Sequence, residues 1–293
     1  MKPAICKLLF FLVGLGLAAA QTEYVQSIEK WRVEREMNLK KEDGWLAVAG
    51  LFWLKEGTNT VGAGEKFDVR LTDNFKGGTF GQIDFHDGKA VLKVESGVDA
   101  QADGKAIAGP VELVSDEQGK PTEIRTATQS LFLIKREERF GIRLKDSNSE
   151  ARRNFAGLQW FPIDETFKVK ARLEPGTDTK ELKVPNVLGG FFKMKSPGRL
   201  KFMLGGKEHS LQAVEEDDGT LFLIFGDQSN DKETYKAGRF LYADKLVNGE
   251  TVLDFNKAYS PPCAFTPYAT CPLPPPGNKL GVEINAGEKR SGH

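Results

Sequence analysis

The chain has 293 residues, with 41 lysines and arginines set against 41 aspartates and glutamates. That balance, with both signs mixed along the chain and no basic stripe, argues against nucleic-acid binding. A hydrophobic content of 40% supplies a core for one large domain or two small ones.

The chain opens with Lys2 and Lys7, followed by a run from Leu8 to Leu17 interrupted only by glycines, and then Ala18-Ala19-Ala20. A basic start, a short apolar run and small residues at the end form the pattern of a secretory signal cut after Ala20. The run is too short to span a hydrocarbon core of about 30 Å. An uncut membrane anchor is the alternative. Cys6 precedes the apolar run, whereas a lipidated cysteine would follow it. The expected location is therefore periplasmic or extracellular. Removing the first 20 of 293 residues leaves 273, two cysteines (Cys263 and Cys271) and a net charge of about −2. No later segment is apolar enough to cross a membrane, so no membrane association is expected after signal removal.

Residues 22 to 42 read as one helix, with Tyr24, Ile28 and Trp31 on an apolar face and Asp43-Gly44 ending it. Val33 and Arg35 make the period imperfect. Trp45 to Leu54 is a buried run. Short extended pieces follow, separated by glycine or Asp/Asn turns: Phe67 to Leu71, Phe80 to Phe85, Ala90 to Val94, Val111 to Val114, Ile124 to Ala127, Leu131 to Arg136 and Phe140 to Leu144. Asp87-Gly88 marks a hairpin tip. Near Asp146 a second half begins. Phe167 to Leu173 alternates as a half-buried strand, Gly205-Gly206 joins two more, and Leu221 to Phe225 is continuously apolar. Arg239 to Tyr242 and Thr251 to Phe255 complete the set. The expected fold is mostly β, an N-terminal helix followed by an antiparallel β-sandwich or barrel-like architecture. The expected divisions are 1–20, the signal; 21–145, helix plus β subdomain; and 146–293, β subdomain with a Pro/Cys-rich C-terminal loop.

Nucleophile elbows, phosphate-binding loops, dinucleotide fingerprints and zinc-protease motifs are all missing. His86 and His209 sit at turns. No metal and no cofactor is expected, and any catalysis would fall to Asp, Glu, Arg, Tyr or Cys. Three segments stand apart from plain strand and turn. Arg152 to Pro162 sets Arg153 beside Trp160 and Phe161; guanidinium there could clamp a carboxylate or phosphate, or stack on the aromatics as glue. Gly226 to Tyr242 is a polar loop ending in Arg239, which lies among glycine and apolar residues and so should be buried and paired. Asp254 to Asn278 holds seven of the fourteen prolines, both remaining cysteines and several aromatics. Its prolines exclude a central strand. It reads as a rigid loop holding Asp254, Asn256 and Tyr259 in place, as a site or as a structural lid. Cys263 and Cys271 are candidates for a disulfide over a short loop, with free thiols and a metal site as alternatives.

Asp43-Gly44-Trp45-Leu46 to Leu54, Arg153-Asn154-Phe155 to Pro162, Gly238-Arg239-Phe240-Leu241 and the Asp254 to Asn278 block together resemble the DUF1684 family, bacterial and archaeal proteins of unknown function. The resemblance extends over nearly all of the chain after the signal and is most specific in the last block. Ser260 departs from the asparagine expected there. The family implies unity of the chain and no particular reaction.

Two functions follow as expectations. One is an exported protein that binds or processes a small anionic molecule in a pocket formed by Arg153, Trp160, Arg239 and Asn256, with Asp254 and Tyr259 as acid–base candidates. The other is a non-catalytic exported β-module that binds a protein or glycan through an exposed apolar patch.

Overall fold

The computed structural model describes residues 4–176 and 181–290, the side chains of 4–20 excepted. The cleavage site expected after Ala20, and Cys6 with it, lies outside the described side chains. Helix α1 runs Ala4–Lys40. Its buried and half-buried positions at Tyr24, Ile28, Trp31, Arg32, Arg35, Glu36 and Leu39 recur at helical period. The imperfect apolar pattern has a physical cause: polar side chains on that face bind the body of the protein. Among the described residues no helix is long and apolar enough to cross a membrane.

The protein is mostly β. Among the described residues nineteen strands follow the helix in chain order. The first eleven are β1 (Val48–Trp53), β2 (Gly57–Ala63), β3 (Val69–Leu71), β4 (Thr79–His86), β5 (Lys89–Val94), β6 (Gln101–Ala102), β7 (Lys105–Ala106), β8 (Val111–Leu113), β9 (Glu123–Thr126), β10 (Gln129–Arg136) and β11 (Arg139–Asp146). They form two sheets, ordered β1-β11-β10-β9-β6-β7 and β3-β2-β4-β5-β8. Ile83 and Leu92 on one sheet meet Leu133, Ile142 and Leu144 on the other in a common core, which makes this half a sandwich. Pairing is antiparallel except between β2 and β3. The Asp87-Gly88 tip has both residues at positive φ (48° and 76°), as a tight hairpin turn requires.

The remaining strands are β12 (Lys168–Pro175), β13 (Glu181–Pro185), β14 (Phe191–Lys195), β15 (Gly198–Leu204), β16 (Lys207–Glu215), β17 (Leu221–Phe225), β18 (Arg239–Ala243) and β19 (Glu250–Asp254). Six form one antiparallel sheet, β18-β17-β16-β15-β12-β19, whose end strands approach each other, so the sheet is nearly closed into a barrel. Its interior holds Leu200, Phe202, Leu211, Leu223, Phe225, Leu253 and Phe255. β13 and β14 form a separate hairpin.

The continuous apolar run of β17 follows from burial on both faces. Leu221, Leu223 and Phe225 point into the barrel, while Phe222 and Ile224 pack outside it against Val184, Ala269 and Cys271. The Pro/Cys-rich segment therefore lies as a strap over the barrel's outer wall. Leu273 N donates to Pro185 O (2.7 Å) and Val187 N to Cys271 O (3.1 Å), tying the strap to the β13–β14 hairpin. Fully buried Asn278 fastens its far end: Oδ1 accepts from Gln212 N (2.7 Å), and Nδ2 donates to Gln212 O and Ile224 O. The strap also touches the sandwich, where Thr266 Oγ1 donates to Val48 O (3.1 Å).

Candidate functional site in the cleft between sandwich and barrel

The six side chains expected to form one anion pocket are dispersed among different settings. Arg239 is fully buried in the barrel wall. Its Nη2 pairs with Asp227 Oδ2 (2.8 Å) and donates to Ile284 O (2.8 Å), while Nη1 donates to Ala286 O. The guanidinium is thus spent on the chain's own C-terminal segment. Burial pulls its pKa down, opposed by Asp227. Arg153 is exposed at the end of a short helix, α2 (Glu150–Arg153), with only a long contact to Asn148 Oδ1 (3.4 Å) among the described residues.

Asp254 and Asn256 serve architecture. Both Asp254 oxygens accept from Tyr24 Oη (3.0 and 3.1 Å), and Oδ1 caps the following turn through Asn256 N (3.2 Å). Asn256 Nδ2 donates to Tyr24 Oη (2.9 Å) and Asp164 O (2.8 Å), and its Oδ1 accepts from Asp164 N (3.0 Å). The trio anchors α1 to the barrel.

Tyr259 lies under Arg35, whose guanidinium carbon is 4.7 Å from the ring centre. Burial, and then Tyr242, push its phenol well above the ordinary range, which removes it as a base near neutrality. Trp160 packs edge-on to Trp31 (5.7 Å) and under Arg32 (4.9 Å). Arg35 reaches on to Ser260 O (2.9 Å) and to fully buried Glu288 (3.3 Å). Arg153 apart, these residues form the seat of α1 or the wall of the barrel. The Arg153–Arg239 pocket expected from the sequence is corrected accordingly.

A different place has the makings of a site. A cleft of about 880 Å³ opens between the sandwich and the barrel wall. On β11, Ile142 and Leu144 point into the sandwich core, so strand alternation turns Arg143 outward toward the barrel. There it is only 8% exposed. Trp45 lies 5.4 Å from its guanidinium carbon. Its Nη2 makes one long contact, to Thr270 Oγ1 (3.4 Å), and its buried Nε finds no partner. Among the described residues no carboxylate lies within ion-pair distance of it. Burial, with Arg136 adding repulsion, pulls its pKa down to about 10. Arg136, at the end of β10, also lines the cleft; it donates to Thr270 Oγ1 (3.0 Å) and pairs with Asp116 (2.8 Å). Trp45, Phe192, Met194 and Phe222 supply apolar wall.

The strap brings the two cysteines to this cleft. Both are free: Cys263 is half-buried, and Cys271 is buried and lines the cavity. Cys263 N donates to Cys271 Sγ (3.2 Å), and the Cys263 thiol donates to Ala269 O (3.8 Å). The nearness of the two thiols makes ionisation easier at Cys263 and, together with burial, harder at Cys271. Among the described residues no group of three or more His, Cys, Asp or Glu is placed to hold a metal ion.

A family model described as a protein of unknown function, DUF1684, matches residues 153–289. The chain belongs to this family. The match takes in the barrel and the strap. It leaves out the Asp43 to Leu54 segment and the whole sandwich, so the DUF1684 resemblance is narrower than the sequence suggested. Thr270 and Cys271 lie within the matched residues, while Arg136 and Arg143 reach the cleft from outside them. An uncharacterized protein of Haloarcula marismortui, solved in solution by NMR, is similar to this chain: 31% identity over 47% of this chain and 78% of that one, with a TM-score of 0.40. No curated protein matches.

Arg143 escaped the sequence reading although its signal was present. An arginine in Gly141-Ile142-Arg143-Leu144 is as anomalous as Arg239 in Gly238-Arg239-Phe240-Leu241. Only the second was flagged, because the first sits in a run that reads as ordinary strand.

Proposed function

We propose that this DUF1684 protein is exported and binds a small organic anion in the cleft between sandwich and barrel. Arg143 is the principal contact and Arg136 its neighbour. One observation carries the reading: Arg143 is almost wholly withdrawn from water, yet among the described residues no carboxylate pairs with it. A buried cation without a counter-ion is costly, and such groups are ordinarily paired. A bound anion supplies the missing charge, and guanidinium suits carboxylate or phosphate oxygens. The apolar walls favour an anion with an aliphatic or aromatic body. Export rests on the arrangement of Lys2, Lys7, the Leu8 to Leu17 run and Ala18 to Ala20.

The test is a thermal-melting screen of the purified protein against carboxylates, phosphates and sulfonates with and without apolar bodies. At a concentration one hundred times its dissociation constant, a ligand adds about 2.7 kcal/mol of stability. The reading predicts that at least one class does so in the wild type and not in Arg143→Gln. Equal shifts in both proteins, or none in either, contradict it.

A second reading, an exported module that docks a protein or glycan, draws on Phe191 and Val187. These are 55% and 42% exposed at the β13–β14 hairpin.

A further inference from the structure

The thiol pair has features beyond those of a structural crosslink. The strap's ends are stiffened by Pro261-Pro262 before Cys263 and Pro272 after Cys271. Tyr235 Oη donates to Cys263 O (3.1 Å), and Cys271 O accepts from Val187 N (3.1 Å), so both backbones are held from outside the loop. Within this frame the two residues are neighbours, joined by the bond from Cys263 N to Cys271 Sγ. The two differ in access: Cys263 is half-buried, whereas Cys271 is 6% exposed and covered by the barrel wall. Arg143, a cation with no carboxylate partner among the described residues, acts on both.

We propose that Cys263 and Cys271 form a reversible dithiol–disulfide couple that exchanges with low-molecular-weight disulfides beside the cleft. Cys263 is the attacking thiol and Cys271 the resolving one. In the first step the Cys263 thiolate attacks one sulfur of the small disulfide. Its S–S bond breaks, a mixed disulfide forms on Cys263, and one small thiolate leaves and takes up the proton released from Cys263. In the second step Cys271, having lost its proton, attacks Cys263 Sγ. The internal S–S bond forms, and the second small thiol departs with that proton. Two protein thiols are oxidised and one disulfide is reduced to two thiols, so atoms and electrons balance. The order follows from access, since an attacking thiol must be reached by the reagent, whereas a resolving thiol need only reach its neighbour. The proposal is independent of the anion reading of the cleft, because it requires no ligand on Arg143.

The experiment incubates the purified native protein with oxidised and reduced glutathione at a series of ratios. Samples are quenched in acid, free thiols are alkylated, and the products are weighed by mass spectrometry. In the wild type both thiols disappear together with a mass loss of two hydrogens, and excess reduced glutathione restores them. Cys271→Ser accumulates a single glutathione adduct at Cys263. Cys263→Ser is modified at least about tenfold more slowly, because its remaining thiol is buried. Circular dichroism of each variant, with Cys→Ala replacements as a second pair, separates a lost thiol from a lost fold. Three outcomes overturn the proposal: a stable mixed disulfide in the wild type with no internal bond, equal modification of the two folded single-cysteine variants, or reaction of the wild type only after denaturation.

Discussion

Arg143 Nη2 and Thr270 Oγ1 face each other at 3.4 Å across the boundary between sandwich and barrel. The contact joins a strand outside the family-matched residues to the strap inside them. It is too long to satisfy a buried guanidinium, and the buried Nε beside it has no partner among the described residues.

An uncompensated buried cation should weaken the empty protein. Arg143→Met keeps the stem's packing and removes the charge, so we expect the ligand-free protein to gain about 1–2 kcal/mol. Chemical unfolding of both proteins, freed of any bound anion by dialysis against high salt, checks this. A loss of 2 kcal/mol or more would mean that the guanidinium is structural.

Arg239 should behave in the opposite way. Its pairing with Asp227 is sealed from water on both sides. Asp227→Ala leaves an unpaired charge in the barrel wall, and we expect a loss of about 3–5 kcal/mol. Exposed Arg153→Ala should change stability by less than about 0.5 kcal/mol. Paired thermal melts of the two variants test the distinction between an arginine whose charge is met inside the barrel wall and one that faces solvent.

One phenol ties the first described turns of α1 to the barrel. Tyr24→Phe removes the donor to Asp254 and the acceptor for Asn256, and should cost about 1–3 kcal/mol. Hydrogen exchange should show the loss first in the turns around Tyr24, because Arg32, Arg35 and Glu36 anchor the later turns through Phe161 O, Ser260 O and Leu158 N. An unchanged exchange pattern would show that the aromatic contacts of Trp31 hold the helix without the phenol.

Glu288 gives a pH signature. Burial raises its folded-state pKa above the ordinary value of about 4.3, and Arg35 only partly opposes this. A folded state that holds the proton more tightly is favoured at low pH. That contribution is lost as pH rises from the ordinary carboxylate value through the folded one. Relative to the wild type, Glu288→Gln should therefore become more stable as pH rises from about 4 to 8. Urea unfolding at several pH values measures the difference, which should be flat if Glu288 ionises normally.

The fold was readable because most strands carry alternation or glycine-marked turns. Asp87-Gly88 and Gly205-Gly206 fixed two hairpins, and the β17 run announced burial on both faces. The β13–β14 hairpin was passed over because Glu181 to Pro185 and Phe191 to Lys195 are largely exposed and bury little that would mark them. The site was less readable for a physical reason. Sequence shows that an arginine is surrounded by apolar neighbours, but whether its charge is met is decided by residues far away in the chain. Arg239 meets Asp227 and the carbonyls of Ile284 and Ala286; Arg143 meets a single threonine. Arg35 looked like a flaw in the helix pattern for the same reason, since its partner is Glu288.

The measurement that bears most directly on the central claim is calorimetric titration of the protein with the anion that most raises its melting temperature, compared among wild type, Arg143→Gln and Arg153→Ala. The account predicts that Arg153→Ala binds like the wild type and that Arg143→Gln loses at least about tenfold in affinity, equivalent to about 1.4 kcal/mol. Equal affinity in all three proteins would contradict it and place the ligand elsewhere.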